Sequence, residues 1–204
     1  MTVHYHKGDL PTDVDLGPLV AVDTETLGLS LTRDMLCVVQ LSAGDGDAHV
    51  VQMNRPDYDC PNLKRVLADT KVEKILHFAR FDVAMVEKYL GVTMAPIFCT
   101  KIASKLARTY TDRHGLKDVT RELVGADMNK QQQSSDWGAD ELSPAQLDYA
   151  ASDVLHLHKL REALSKMLER EGRLDLAKAC FDFMPTRARL DLAGWPEIDI
   201  FAHS

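Results

Sequence analysis

The spacing of apolar positions changes character along this chain. Leu19 to Thr24 (LVAVDT), Met35 to Ser42 (MLCVVQLS) and Ala48 to Met53 (AHVVQM) are short runs rich in β-branched residues, separated by Gly, Asp and Ser clusters. That pattern predicts a three-stranded meander, and Lys74 to Phe78 (KILHF) predicts a further strand. Helical spacing then takes over. It predicts helices over Phe81 to Leu90, closed by Gly91, over Thr100 to Thr109, and over Leu116 to Val124, closed by Gly125. The clearest helix start is Ser143, where Ser-Pro-Ala-Gln supplies a capping hydroxyl, a proline at the first helical position and a glutamine to complete a capping box. This helix is predicted to run to about Arg170.

Strands first and helices afterwards, with a strand-helix alternation between them, predict an α/β fold in which helices flank a mixed central sheet. No internal repeat or low-complexity linker divides the sequence, so residues 1 to 204 read as a single domain, long enough to bury its own core. The ending LAGWPEIDIFAHS is rich in apolar residues for a free end and is expected to dock on something.

Composition narrows the function classes. No run approaches the roughly 18 apolar residues of a membrane span, and the start MTVHYHKGDL lacks a signal-peptide core. Cys37, Cys60, Cys99 and Cys180 form no Cys-x-x-Cys pair, which argues against zinc or redox chemistry and for a reducing cytoplasm. The net charge of -7 argues against a protein that grips long duplexes by phosphate neutralisation. The charge is uneven, however. From Lys101 to Lys130, seven basic residues stand against four acidic ones, so this stretch is +3 and the remainder -10. It reads either as solvated amphipathic helices or as a surface that faces phosphate.

The candidate chemistry lies in carboxylates. Asp23 and Glu25 are two apart on the first predicted strand and therefore share a face. Their repulsion raises at least one pKa unless solvent or a cation relieves it, so the pair fits both a solvated strand end and a metal site. Asp82, in HFARFD, follows a strand near the start of a helix, where an aspartate also suits the helix dipole. Tyr149 and Asp153 lie four apart on the capped helix and share a face.

Taken together, DTETLGL, HFARFD and YAASD occur in the order of the three motifs of the DEDDy exonucleases, the superfamily of ribonuclease D and polymerase proofreading domains, and the chain resembles that family over about residues 19 to 170. The segment NKQQQSSDWGADELSPAQLDYAASDVLHL looks like the ribonuclease D pattern ahead of its third motif. A closer resemblance, extending through TKIASKLARTYTDRHGLK and GWPEIDIFAHS, is to the compact nanoRNase C group, which degrades dinucleotides and very short RNA.

The resemblance implies a ribonuclease H-like (DnaQ-like) fold and 3′-5′ exonuclease activity with two divalent cations, Mg2+ or Mn2+, which oxygen-only ligands suit. By motif position, Asp23 would bridge the ions, Glu25 and Asp153 would hold the first, and Asp82 the second. Tyr149 would orient the attacking water, since a phenol with a pKa near 10 is a poor base at neutral pH. Leu29 occupies the place of a leucine inserted between the last two bases, although an apolar residue after a strand is ordinarily core. Lys130 corresponds to a substrate-contacting lysine. The Thr26 main chain meets the terminal sugar, and His77 precedes the second motif, where a packed histidine is the plainer account. Tyr110, Arg113 and His114 combine stacking with positive charge and are candidates for the 5′ end. The substrate is then short RNA, with DNA or trimming of longer RNA as alternatives and a non-catalytic binding module as a further one. The resemblance also implies a homo-oligomer, a ring in the nanoRNase C group, with residues from about 185 to 204 at the subunit interface through Trp195, Ile198, Ile200 and Phe201.

Overall fold

The computed structural model describes residues 2–129 and 131–203. The predicted meander is present as β2 (Leu19–Thr26), β3 (Leu36–Ser42) and β4 (Ala48–Gln52), paired antiparallel. Pattern alone did not reveal β1 (Val3–Lys7), which adds parallel to β4. On the other side β5 (Glu73–Leu76) pairs parallel with β2, and β6 (Ile97–Cys99) parallel with β5. The six strands stand in the order β1-β4-β3-β2-β5-β6, the mixed sheet that the sequence predicts.

Helices cover the sheet. They are α1 (Pro61–Ala68), α2 (Ala79–Leu90), α3 (Thr100–Ala107), α4 (Leu116–Leu123), α5 (Pro144–Leu155), α6 (Leu157–Arg170) and α7 (Leu174–Leu192). Gly91 ends α2 in the left-handed conformation, φ 68°, as its sequence position predicts. At α5 the capping box is complete: the Ser143 hydroxyl accepts from the Gln146 N–H, and Gln146 Oε1 accepts from the Ser143 N–H at 2.9 Å.

One predicted helix is two. The stretch from Ser143 to Arg170 breaks at His156, whose φ of -100° and ψ of -7° interrupt the ladder. No glycine or proline marks the break. It follows instead from packing, because α5 lies across β2, β3 and β4 whereas α6 turns Leu157, Leu160, Leu164 and Leu168 inward toward α3. The start of α1 carries one local signal, Pro61 at its first position, but no side-chain cap, since its free N–H groups are capped from a distance. The Asp9 carboxylate accepts from Asn62 N and Leu63 N at 2.9 and 2.8 Å.

The carboxyl-terminal segment is also divided differently from expectation. Residues up to Leu192 belong to α7, which continues through Pro185, and the segment beyond the helix begins at Ala193. Its first residues are tied down by two arginines. Arg80 binds the buried Asp191 through two hydrogen bonds and also donates to the Pro196 carbonyl, while Arg187 binds Asp191 and the Trp195 carbonyl. Trp195, Ile198, Ile200 and Phe201 stay exposed on the chain. No described helix is long and apolar enough to cross a membrane.

At the start of β5 the strand is held by a fully buried lysine. The Lys74 ammonium donates to the carbonyls of Asp69, Val72 and Ala95 at 2.7 to 2.8 Å, using all three of its donors. Lys74→Met keeps the length of the side chain and leaves those carbonyls without their donor. It should lower unfolding free energy by about 2–4 kcal/mol in denaturant melts, and an unchanged midpoint would show that these bonds contribute nothing net.

Candidate active site

The candidate site is built where β2 ends. Asp23 and Glu25 alternate with Thr24, so both carboxylates face the same side of the sheet while the Thr24 hydroxyl faces the other neighbour. A β-bulge between Glu25 and Thr26 shifts the register at this point, a common way to re-aim side chains at a site. From β3, Gln40 stands opposite Asp23 and donates to it at 3.2 Å.

Two helices bring the remaining groups. Asp82 lies in the first turn of α2, buried, and accepts from Thr24 Oγ1 at 2.6 Å. Tyr149 and Asp153 lie one turn apart on α5, and the phenol is hydrogen-bonded to the Asp153 carboxylate. Carboxylate oxygens of Asp23, Glu25 and Asp153 lie within 4.8 Å of one another. The five candidates therefore meet, lining one cleft of about 670 Å3. That volume lies within the about 300–1,000 Å3 usual for small-ligand sites.

Packing the acids together perturbs Asp23, Glu25 and Asp82. Burial, followed by repulsion from Asp153 and Asp82, pushes Glu25 up to about 9. Burial raises Asp82 to about 7 against the opposing hydrogen bond from Thr24, and burial with three acidic neighbours lifts Asp23 well above the carboxylate range. Burial and the same acids raise the Tyr149 phenol above its ordinary value. It is thus a neutral hydroxyl at neutral pH and not a base. A cluster of oxygen donors that hold protons against their nature is suited to a hard divalent cation, which replaces those protons.

The remaining candidates divide by position. Thr26, Leu29 and His77 line the same cleft. Leu29 is 85% exposed, so it is not a core residue. The Leu29 loop is braced by hydrogen bonds: the Asp34 carboxylate accepts from Ser30 N at 2.9 Å and from Arg33 Nε at 2.7 Å. Gly28 is required there, since a Cβ at that position would meet Asp34 Oδ2 at 2.4 Å. The Thr100 hydroxyl donates to the Leu76 carbonyl and so accepts from His77 Nδ1 at 2.9 Å, which fixes the proton of that ring on Nδ1. Lys130 lies outside the described residues, although its neighbour Asn129 is on the cleft wall.

Tyr110, Arg113 and His114 do not line this chain's cleft. Tyr110 donates to Glu122 at 2.6 Å, His114 Nδ1 bonds Ser104 Oγ at 2.9 Å, and Arg113 is exposed on the α3–α4 loop. That loop nevertheless runs into Gly115, Leu116 and Lys117, which do line it. The basic stretch is also mixed in role. Arg108 is fully buried against Glu122, Ser104 and the Arg113 carbonyl and serves structure, whereas Lys101 and Lys117 face the cleft. Sequence reading singled out neither Lys101, Lys117, Gln40 nor Phe78. Their signals, a lysine within a basic run and an aromatic inside HFARFD, are ordinary until the fold places them.

Residues 10–169 match the family model described as 3′-5′ exonuclease. The chain belongs to that family. A ribonuclease D of Gluconacetobacter diazotrophicus is 39% identical over 158 residues, 78% of this chain and 40% of the relative, so the chain spans less than half the length of that relative. Among solved structures, Brucella melitensis NrnC is similar over the full length of both chains. Its structure with bound Mg2+ gives 55% identity and a TM-score of 0.96, and its structure bound to pGG gives 56% and 0.97. Escherichia coli RNase D is 25% identical with a TM-score of 0.74, over 84% of this chain and 45% of its own. The family fold explains why a strand end and two helix faces, far apart in sequence, converge.

Proton linkage gives a direct check on the donor set. Because Glu25 and Asp82 have folded-state values near 9 and 7, above the roughly 4 of an unfolded chain, the metal-free folded state binds more protons across that window. Metal-free stability should therefore fall as pH rises from about 4 toward 9. Mg2+ or Mn2+ should raise the melting temperature more at pH 8 than at pH 6, and Asp23→Asn should melt higher than the parent without metal yet lose the metal response. An equal metal shift at both pH values would contradict this arrangement.

Proposed function

We propose that this chain is a metal-dependent 3′-5′ exoribonuclease that degrades dinucleotides and short oligoribonucleotides to nucleoside 5′-monophosphates. The observation that carries the reading is the meeting of Asp23, Glu25, Asp82, Tyr149 and Asp153 in one cleft with an exposed leucine on its rim. Two divalent cations held by the four carboxylates would supply charge neutralisation at the phosphate and an acidified water.

The chain's own groups do the rest. The Tyr149 phenol donates a hydrogen bond to Asp153 and keeps its proton, so its oxygen can accept a hydrogen bond from an attacking water and orient it. Thr24 and Gln40 hold Asp82 and Asp23 in place. Leu29, standing on a hydrogen-bonded loop, separates the last two bases and sets the scissile phosphate over the carboxylates. Misplacement by about 1 Å costs on the order of 100-fold in rate. Thr26 meets the terminal sugar and His77 flanks it, with Lys130 as a substrate contact.

Short RNA is favoured over long by charge and by likeness. Outside the stretch from Lys101 to Lys130 the chain carries -10, which offers a long strand little attraction, whereas Lys101 and Lys117 suffice for a few phosphates. One neighbour that matches end to end, Brucella melitensis NrnC, was solved bound to pGG. The ribonuclease D relatives favour a second reading, trimming of longer RNA. Initial rates with Mg2+ on end-labelled RNAs of two to twenty nucleotides separate the two. We expect the highest rate per end on dinucleotides, a fall of about 100-fold in turnover for Leu29→Ala with an intact fold, and a slower Tyr149→Phe that still binds metal. Equal rates at all lengths would select the trimming enzyme, and full activity after chelation would end both readings.

A homo-oligomer accompanies this reading, because Trp195, Ile198, Ile200 and Phe201 form an exposed apolar group at one end of the chain. Removal of residues 195 to 204 should lower the mass measured by light scattering to that of a smaller species. A monomer before and after truncation would contradict it.

A further inference from the structure

Phe78 breaks three local rules at once. It is the N-cap of α2, a position that favours Ser, Asp, Asn or Gly, and it makes no side-chain capping bond. Its backbone lies in the left-handed region, φ 64° and ψ 43°, which a bulky L-residue avoids. Its ring is 46% exposed, an unfavourable place for an aromatic side chain in water. Asparagine or glycine would satisfy the backbone better, and a polar residue the solvent. The turn is held in shape from both sides, by His77 bonded to Thr100 and by the fully buried Ala79. Strain of this kind, maintained by its surroundings, is characteristic of ligand sites.

What surrounds the ring indicates the ligand. Phe78 lines the cleft with Asp23 and Glu25, and the Lys101 ammonium sits 4.2 Å from the ring centroid. A cation on one face braces an aromatic plane and enriches the site in positive charge. We propose that Phe78 is a stacking platform for a nucleobase of the substrate, with Lys101 bracing the ring and facing the adjoining phosphate. The inference rests on the exoribonuclease reading and deepens it. It adds a second apolar contact for bases beside Leu29, one that does not select among bases, since every base offers a planar face.

The substitution that tests this is Phe78→Asn, because asparagine tolerates the left-handed backbone and removes the ring. With Mg2+ and a diribonucleotide, KM should rise about tenfold while kcat stays within about threefold, and the melting temperature should be at or above the parent's. Phe78→Tyr, which restores the ring, should return KM to the parent value. A merely structural phenylalanine would lower the melting temperature and leave KM alone. An unchanged KM in Phe78→Asn, or a raised KM that Phe78→Tyr fails to restore, overturns the stacking role. A wild-type protein inactive on every RNA overturns the exoribonuclease reading itself, a result distinct from either.

Discussion

Carboxylates that share a space of a few ångströms, partly out of water, cannot all be ionised without a positive partner, and much of this chain's architecture exists to hold them in that state. β2 contributes two of them on one face, α5 contributes a third across the cleft, and α2 delivers Asp82 from behind the strand. Three of the four are restrained by a neighbour that does not neutralise them: Gln40 for Asp23, Thr24 for Asp82, Tyr149 for Asp153. The hydrogen bonds orient the acids and leave the charge problem unsolved. A site prepared in this way is stabilised when a divalent ion arrives and disfavoured when it is empty, which is the condition for metal binding to be strong at neutral pH.

The same end of the molecule also carries its least favourable surface. Leu29 stands exposed on a loop fixed by Asp34, and Phe78 stands exposed on a strained turn. Neither placement contributes to folding, and both are imposed by well-buried neighbours. Stability is accordingly supplied elsewhere, by the apolar faces of the sheet under α2, α3 and α6, and by the smaller cluster of Cys37, Val38, Val50, Trp137, Leu142 and Ala150 that underlies α5. Trp137 serves both purposes, since it is buried in that cluster and its ring lies 6.0 Å from Tyr149.

The central meander, the capped start of α5 and the five converging candidates were all legible in the sequence, because each rests on local spacing or on a motif. What was not legible depends on distant partners. The start of α1 shows only Pro61 locally and takes its cap from Asp9, and the break at His156 needs two different surfaces for α5 and α6 and leaves no mark in nearby residues. β1 and β6 are edge strands: β1, as VHYHK, lacks the β-branched apolar run that marks the equally long β4, and β6 has only three residues. Within the site, Leu29, read from the resemblance as a wedge between bases with core as the plainer account, stands exposed at the cleft, while Arg108, in a stretch read either as solvated helices or as a phosphate-facing surface, is a buried tie to Glu122. Charge and apolarity set a residue's cost of placement, and only the fold decides which side of the surface bears it.

The central claim is that these four acids form a binding site for two divalent ions in working order with RNA. Titration calorimetry with Mn2+, in the presence of a non-hydrolysable diribonucleotide, measures it most directly. Two ions per chain, with protons released on binding, is the result this account predicts. One ion or none, or binding without proton release at pH 7, would contradict it.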